Sequence, residues 1–179
     1  DENNVRPMSR SAHGVKAIKL REGDYVVSMA RVREGATLVT ITENGFGKRC
    51  SLDAYKLQRR GGFGLKNYKV DEERGHVCGI KVVDEDDDII MISSDGIIIR
   101  IRTSDIRIMG RIAKGVRVMR VRDDVKVVAF TRAEHDDSAE VNEVEQLSEA
   151  EVKAAEEEAA LEEKNEVIIE NDEPDDEEE

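Results

Sequence analysis

The 179-residue sequence predicts an all-β fold assembled from repeated units of about four antiparallel strands. Aromatic residues make up only 3% of the chain and Trp is absent, so the core must be built from Met and aliphatic side chains, of which Ile and Val favour strands. The chain also repeats itself at intervals of 50 or 51 residues. In each full repeat an apolar run ends in an Asx-Gly turn, which is the pattern of a β-hairpin.

The hairpin opens each full repeat. A shift of 51 places Leu-Val-Thr-Ile-Thr-Glu-Asn-Gly (38–45) over Ile-Ile-Met-Ile-Ser-Ser-Asp-Gly (89–96). The returning strands also align, because Arg49 meets Arg100 and Leu57 meets Ile108. Each copy therefore predicts two strands joined by a tight turn.

A second pattern occurs three times, at 14–20, 64–70 and 115–121, and we call these three stretches the rung segments. Each predicts a strand that leads to a last strand, Val77–Val83 in one repeat and Val125–Phe130 in the next. The chain thus contains about two and a half units, each with the size of a propeller blade. Because a blade needs neighbours to bury its faces, we expect the chain to be a fragment of a longer protein.

Charge divides the chain into residues 1–133, the blades, and residues 134–179, an acidic tail. Residues 1–134 carry 26 Lys and Arg against 20 Asp and Glu, a net charge of +6, while residues 135–179 carry 2 against 21, a net charge of −19. The overall charge of −13 therefore hides a basic body. Ser148 and Glu151 form a capping box that predicts a short helix at 148–165, and the charged run Asn171–Glu179 is expected to be disordered.

Several classes of function find no support. Cys50 and Cys78 match no metal or redox spacing, so both are expected to be free structural thiols, and neither a metal site nor a cofactor site is predicted. No acid–base pair or nucleophile stands out, and Tyr25, Tyr55 and Tyr68 are expected to be structural. The sequence shows neither a membrane span nor a signal peptide, which favours the cytoplasm.

The repeats preserve charge as well as hydrophobicity. Three aligned positions are basic in every copy: Arg10, Arg60 and Arg111; Lys16, Lys66 and Arg117; Lys19, Lys69 and Arg120. On blades related by rotation, such residues would form a basic band that double-stranded DNA could follow through sequence-nonspecific phosphate contacts. The alternative is that they are solvated strand residues that protect edges from aggregation.

A glycine-rich stretch, Gln58-Arg59-Arg60-Gly61-Gly62-Phe63-Gly64, precedes the second rung segment. Two adjacent guanidiniums and flexible glycines would let the backbone approach a phosphate chain closely. The alternative is a plain interblade turn. The stretch lacks the Gly-Lys-Ser/Thr ending of a nucleotide-binding loop.

These motifs resemble the C-terminal domain of the bacterial DNA gyrase A protein. Residues 58–64 are similar to that family's box, Gln-Arg-Arg-Gly-Gly-Lys-Gly, at six of seven positions, and Arg6-Pro7-Met8, residues 45–49 and Met109-Gly110-Arg111 resemble its other blade motifs. The resemblance implies a β-pinwheel that wraps DNA for negative supercoiling within a holoenzyme of two A and two B subunits, whose ATP and Mg²⁺ bind elsewhere. The predicted DNA-binding residues are Arg10, Lys16, Lys19, Arg49, Gln58, Arg59, Arg60, Gly61, Gly62, Gly64, Lys66, Lys69, Arg100, Arg111, Lys114, Arg117 and Arg120.

Phe63 replaces the Lys of the family box and so removes one cation. The family's functional box normally lies in the first blade, whereas residues 58–64 are expected to lie in a late blade. They are therefore either the functional box or a degenerate copy. The C-terminal domain of topoisomerase IV, which generally lacks an intact box, and a protein-binding blade scaffold are the alternative functions. The acidic tail is either a solubilising appendage or a segment that competes with DNA for the basic band.

Overall fold

The computed structural model describes residues 5–136, and its strands form two antiparallel sheets. In this part of the chain the strands are β1 (Thr37–Thr42), β2 (Phe46–Ser51), β3 (Val77–Val83), β4 (Asp87–Ser93), β5 (Ile98–Arg102), β6 (Val116–Arg117) and β7 (Val127–Glu134). Single 3-10 turns at Leu52–Ala54 and Thr103–Asp105 follow β2 and β5. The predicted all-β class is confirmed, while the helix predicted at 148–165 and the disorder predicted at 171–179 lie outside the described residues.

Both predicted hairpins are present. β1 pairs with β2, with Thr37 opposite Ser51, and β4 pairs with β5, with Asp88 opposite Arg102. The first turn ends at Gly45, whose φ of 81° is a left-handed conformation that favours glycine. A Cβ at Gly45 would also lie 2.0 Å from the carbonyl oxygen of Met119, so the turn leaves no room for a side chain.

The last strands occupy the other edge of each hairpin. β3 coincides with the predicted range and pairs with β1, and β7 runs to Glu134 and pairs with β4. The resulting sheets have the strand orders β3-β1-β2-β6 and β5-β4-β7.

The rung segments are where the sequence prediction was wrong. Only Val116–Arg117 of the third segment forms a strand, and residues 14–20 and 64–70 form none. The reason is that β6 does not pair within its own repeat but with β2 of the preceding one, where Gly47 faces Val116. The described residues contain no counterpart of β2 one repeat earlier, so 64–70 has no strand edge there with which to pair.

One apolar core joins the two sheets. It is built from aliphatic side chains and Met, as the composition predicts, and its fully buried members include Val39, Ile41, Val83, Ile89 and Met91. Met109, Val116 and Met119 bring the third repeat's loop and rung segment into the same core. The core therefore fixes the position of the loop at 109–114 and of the third rung segment.

Candidate nucleic-acid interface

The glycine-rich stretch Gln58–Gly64, which we call the box loop, lies against the rung segment of the preceding repeat. The Gly61 N–H donates to the Ala17 carbonyl at 2.7 Å, and the Lys19 N–H donates to the Gly62 carbonyl at 2.8 Å. Gly61 has a φ of 83°, which only glycine adopts readily, and this conformation turns its N–H toward the rung. Loop and rung from successive repeats therefore form one continuous backbone surface.

Four predicted cations converge on this surface. Lys16 and Lys19 extend from the rung segment, Arg59 and Arg60 from the box loop, and all four side chains are exposed. The loop and the rung also line a groove of about 900 Å³ whose apolar wall includes Ile18 and Leu57. Arg59 and Arg60 line the same groove, so two of the four cations lie at a concave surface.

Phe63 occupies the position at which the family box has Lys, and two cationic side chains lie close to its ring. Its ring is 56% exposed, with the Lys19 ammonium 4.8 Å and the Arg21 guanidinium 5.8 Å from its centroid, both within cation–π range. Arg21 was not among the predicted residues because its aligned residues are Asp71 and Arg122, so its charge is not repeated in every copy. The aromatic ring is the signal that could have pointed to it.

The next loop, 109–114, repeats the arrangement one blade further on. The Arg111 guanidinium donates to the carbonyl of Lys66, which lies in the rung segment of the preceding repeat. A Cβ at Gly115, which begins the rung segment after this loop, would lie 2.4 Å from the Gly47 carbonyl oxygen in β2, so glycine also allows a close backbone approach here. Lys114 aligns with Phe63 of the box loop at the repeat interval of 51 residues, and it is half-buried. Rungs and loops of successive repeats thus alternate along the surface.

A buried ammonium holds two of these elements together. Lys48, in β2, is 0% exposed, and its Nζ donates to the carbonyls of Asn67 at 2.6 Å, Gly110 at 3.4 Å and Arg111. The Tyr68 ring centroid lies 5.2 Å from the same nitrogen. Because Asn67 belongs to one rung segment and Gly110 and Arg111 to the next loop, Lys48 fixes the spacing between two basic elements.

Burial lowers the pKa of Lys48 to about 8, from an ordinary value near 10.5. A negative charge on Cys50 would raise this pKa, and the positive charge of Arg111 lowers it further. Neutral and charged forms of this side chain therefore both exist near physiological pH.

Two tyrosines complete the packing around Lys48. The Tyr55 hydroxyl donates to Oδ1 of Asn67, and the Tyr68 hydroxyl donates to the carbonyl of Lys114. Burial raises the pKa of both hydroxyls well above the usual range, so they remain protonated donors. Tyr25 is different, because it is 74% exposed and takes no part in the core.

Two predicted DNA-binding residues form ion pairs within the protein. Arg49 is 4% exposed and its guanidinium pairs with Glu85, and the Nε of Arg100 lies 2.7 Å from a carboxylate oxygen of Asp88, which is 0% exposed. Burial alone would raise the pKa of Asp88, but hydrogen bonds from His135 and Arg100 outweigh it and hold that pKa low. Both guanidiniums therefore form ion pairs within the blades.

The remaining predicted cations lie on the surface or at its margin. Arg10, Arg117 and Arg120 are exposed, and Lys69 is half-buried. The Arg117 guanidinium lies 4.7 Å from the Phe46 ring centroid, which orients it. Within residues 5–136 no cluster of His, Cys, Asp and Glu could hold a metal ion. The same residues include no helix long and apolar enough to cross a membrane.

Repeated antiparallel blades with cations gathered at successive interblade loops define a propeller-type module with a basic surface. The family model of the DNA gyrase C-terminal domain, a beta-propeller, matches residues 1–33, 36–84 and 87–134. The chain belongs to this family, which confirms the resemblance that the motifs indicated.

Relatives and solved structures agree with this assignment. The chain is 40% identical over 147 residues to the DNA gyrase A protein of Staphylococcus aureus strain NCTC 8325, a match that covers 81% of this chain and 17% of the relative. It is also 40% identical over 152 residues to the same protein of strain MRSA252, covering 84% of this chain and 17% of that protein. The chain therefore spans about a sixth of the relatives it matches.

Two solved structures share the fold. A DNA gyrase A C-terminal domain superposes with a TM-score of 0.66 at 32% identity, covering 72% of this chain and 44% of that one. The C-terminal domain of a DNA topoisomerase IV superposes with a TM-score of 0.68 at 26% identity, covering 75% and 42%. The fold is thus common to both enzymes, whereas the family model and the sequence relatives favour gyrase.

Proposed function

We propose that this chain is a DNA-wrapping module of a gyrase A protein, and that it binds duplex DNA through the phosphate backbone. The observation that carries the proposal is the contact of each basic loop with the basic rung of the preceding repeat, through Gly61 and Ala17 in one case and Arg111 and Lys66 in the next. Such an alternation follows the direction in which blades succeed one another, as a duplex bent around the blades would.

The interface comprises the box loop with Lys16, Lys19 and Arg21, and the next loop with Lys66 and Lys114. Lysines and arginines that meet phosphates give affinity without reading bases, so little sequence preference follows. Arg49 and Arg100 are left out of the interface because they are paired with carboxylates inside the blades.

The rest of a gyrase would act together with this module. In a gyrase the module would act in the cytoplasm with the other domains of the gyrase A protein and with the gyrase B protein, and ATP and Mg²⁺ would bind outside this chain. A topoisomerase IV module is the second candidate, supported by the matching fold. The box loop, with six of seven family positions, favours gyrase over it.

The salt dependence of duplex affinity tests the mechanism. The logarithm of the association constant is expected to fall steeply and linearly with the logarithm of salt concentration, by about 0.9 per phosphate contacted, so that six contacts give a slope of roughly −5. Fluorescence anisotropy with several unrelated duplexes of equal length would measure it. A shallow slope, or affinities that differ widely between the duplexes, would contradict phosphate wrapping.

Phe63→Ala is expected to weaken duplex binding by roughly two- to fivefold, because Lys19 and Arg21 lose the ring that orders them, and one exposed cation–π contact is worth about 0.5–1 kcal/mol. Phe63→Lys, which restores the family residue, is expected to increase the salt slope by about 0.9, the contribution of one phosphate. The same anisotropy titrations apply. Equal affinity of the Ala variant and the unmodified chain would show that the ring does not organise the interface.

A further inference from the structure

Phe46 lies directly opposite Arg117 in the pairing of β2 with β6. Residues that face each other in this way carry their side chains on the same face of the sheet. The Arg117 guanidinium lies over the Phe46 ring, 4.7 Å from its centroid, and Phe46 itself is only 7% exposed. Both residues belong to the single sheet β3-β1-β2-β6, so their contact depends on no other blade.

The backbone on the C-terminal side of Arg117 is also fixed to this sheet. The N–H groups of Val118 and Met119 both donate to the Gly45 carbonyl, at 2.9 and 3.0 Å. Arg117 therefore leaves the sheet from a fixed point, and the direction of its guanidinium depends on the rotamer of its side chain. The Phe46 ring favours rotamers that keep the guanidinium over its face, because cation–π attraction is limited to that region.

A second guanidinium shares the same ring. Arg74 lies 5.2 Å from the ring centroid, and it pairs with the carboxylates of Asp71 at 2.6 Å and Glu73 at 3.1 Å. These carboxylates hold Arg74 in place and compensate its charge. Because like charges repel, the fixed Arg74 guanidinium keeps Arg117 away from the part of the ring that it occupies. Arg117, which is exposed, is then the cation that the ring holds at the surface.

The chain contains three phenylalanines, and two of them, Phe46 and Phe63, each contact two cationic side chains. We propose that Phe46 is a positioning residue that orders Arg117 for contact with a DNA phosphate. A long side chain loses rotamer freedom when it meets a phosphate, and a ring that has already ordered it reduces this loss. The inference rests on the proposed function, since Arg117 aligns with Lys16 and Lys66 of the proposed interface.

Nuclear magnetic resonance of the full 179-residue chain tests the ordering of Arg117 in the absence of DNA. Phe46→Leu keeps an apolar side chain in the core but removes the ring, and Phe46→Met, which keeps more of the volume, replaces it if the Leu variant does not fold. The Nε–H resonance of Arg117, shifted by the ring current in the unmodified chain, is expected to move toward its random-coil position. The matched control, Phe130→Leu, removes a core ring that lies close to Gly79 and is expected to leave this resonance unchanged.

Anisotropy titrations at several salt concentrations test the consequence for binding. Phe46→Leu is expected to weaken duplex affinity by roughly two- to fivefold at about 0.1 M salt. Arg117→Gln is expected to weaken it at least as much and to lower the salt slope by about 0.9, the contribution of one phosphate. The double variant is expected to lose no more affinity than Arg117→Gln alone, because the ring acts only through that guanidinium. Phe130→Leu, measured below its thermal midpoint, is expected to bind as the unmodified chain does.

Losses that add in the double variant would overturn the proposal, because Phe46 would then affect binding by a route other than Arg117. An affinity of Phe46→Leu equal to that of Phe130→Leu would also overturn it, even if the Arg117 resonance moves, since the ordering would then have no effect on DNA binding. Both results leave the proposed function intact. Failure of the unmodified chain to bind any duplex would instead contradict the proposed function, and the role of Phe46 with it.

Discussion

Replacing Arg59 and Arg60 together with Ala is expected to weaken duplex binding by roughly ten- to a hundredfold at about 0.1 M salt. Each phosphate contact contributes about 0.9 to the salt slope, so the loss of two lowers the slope by about 1.8 and removes the corresponding counterion release. Both arginines lie on the box loop, which is bonded to the preceding rung through Gly61 and Gly62. Anisotropy titrations at several salt concentrations give the affinity and the slope together.

The matched control is Arg31→Ala with Lys81→Ala. It removes the same two positive charges, but from the stretches that end the first and second repeats, outside the proposed interface. We expect its affinity to fall less than threefold, through long-range electrostatics alone. An equal loss in the control and the box-loop variant would mean that net charge, and not the interface, determines binding. A loss confined to one duplex sequence would instead indicate base readout.

The hairpins could be predicted from sequence because their determinants are local. An Asx-Gly turn and the apolar runs beside it specify β1 with β2 and β4 with β5, and the last strand β3 was predicted to the residue. The rung segments were mispredicted because their pairing is not local. Val116 pairs with Gly47 of the preceding repeat, about seventy residues away, and no alternation pattern shows where a strand will find its partner.

The repeated cations identified the rungs, but repetition of charge does not reveal burial. Arg49 and Arg100 align and are both basic, yet each pairs with a carboxylate within the blades, Glu85 between β3 and β4 and Asp88 in β4. Lys48 was missed for the opposite reason, because its charge is not repeated. Its aligned residue is Ile99, and an aliphatic residue at the equivalent position is the signal that a lysine there is buried.

Lys48→Met is expected to destabilise the blades by about 2–3 kcal/mol and to shift the thermal midpoint by roughly 5–12 °C. Met conserves the volume of the side chain but leaves the carbonyls of Asn67, Gly110 and Arg111 without their donor, and each unsatisfied buried acceptor costs about 1–3 kcal/mol. Relief of the buried charge offsets part of this cost. Thermal unfolding followed by circular dichroism measures the shift, and Lys56→Met, at an exposed position, is the control.

The variant also tests whether Lys48 positions the basic elements. If it does, Lys48→Met measured well below its midpoint, where it is folded, binds duplex with a smaller salt slope, because Lys66 and Arg111 no longer keep their spacing. A purely structural lysine would lower the midpoint and leave the slope of the folded protein unchanged. Lys48→Arg keeps the charge but not the compact ammonium, so we expect it to restore neither property fully.

The lowered pKa of Lys48 is expected to make the free energy of unfolding depend on pH in a way that the Met variant does not share. Its pKa is about 8 in the folded chain and about 10.4 in an unfolded one, so between these values the unfolded chain binds more protons. The contribution of Lys48 to the free energy of unfolding therefore rises with pH across this window, by an amount on the order of 3 kcal/mol, and the Met variant lacks that contribution. The stability difference between the two proteins is expected to widen from pH 8 to pH 10. A constant difference would show that the ammonium is not held in the desolvated site that links the two basic elements.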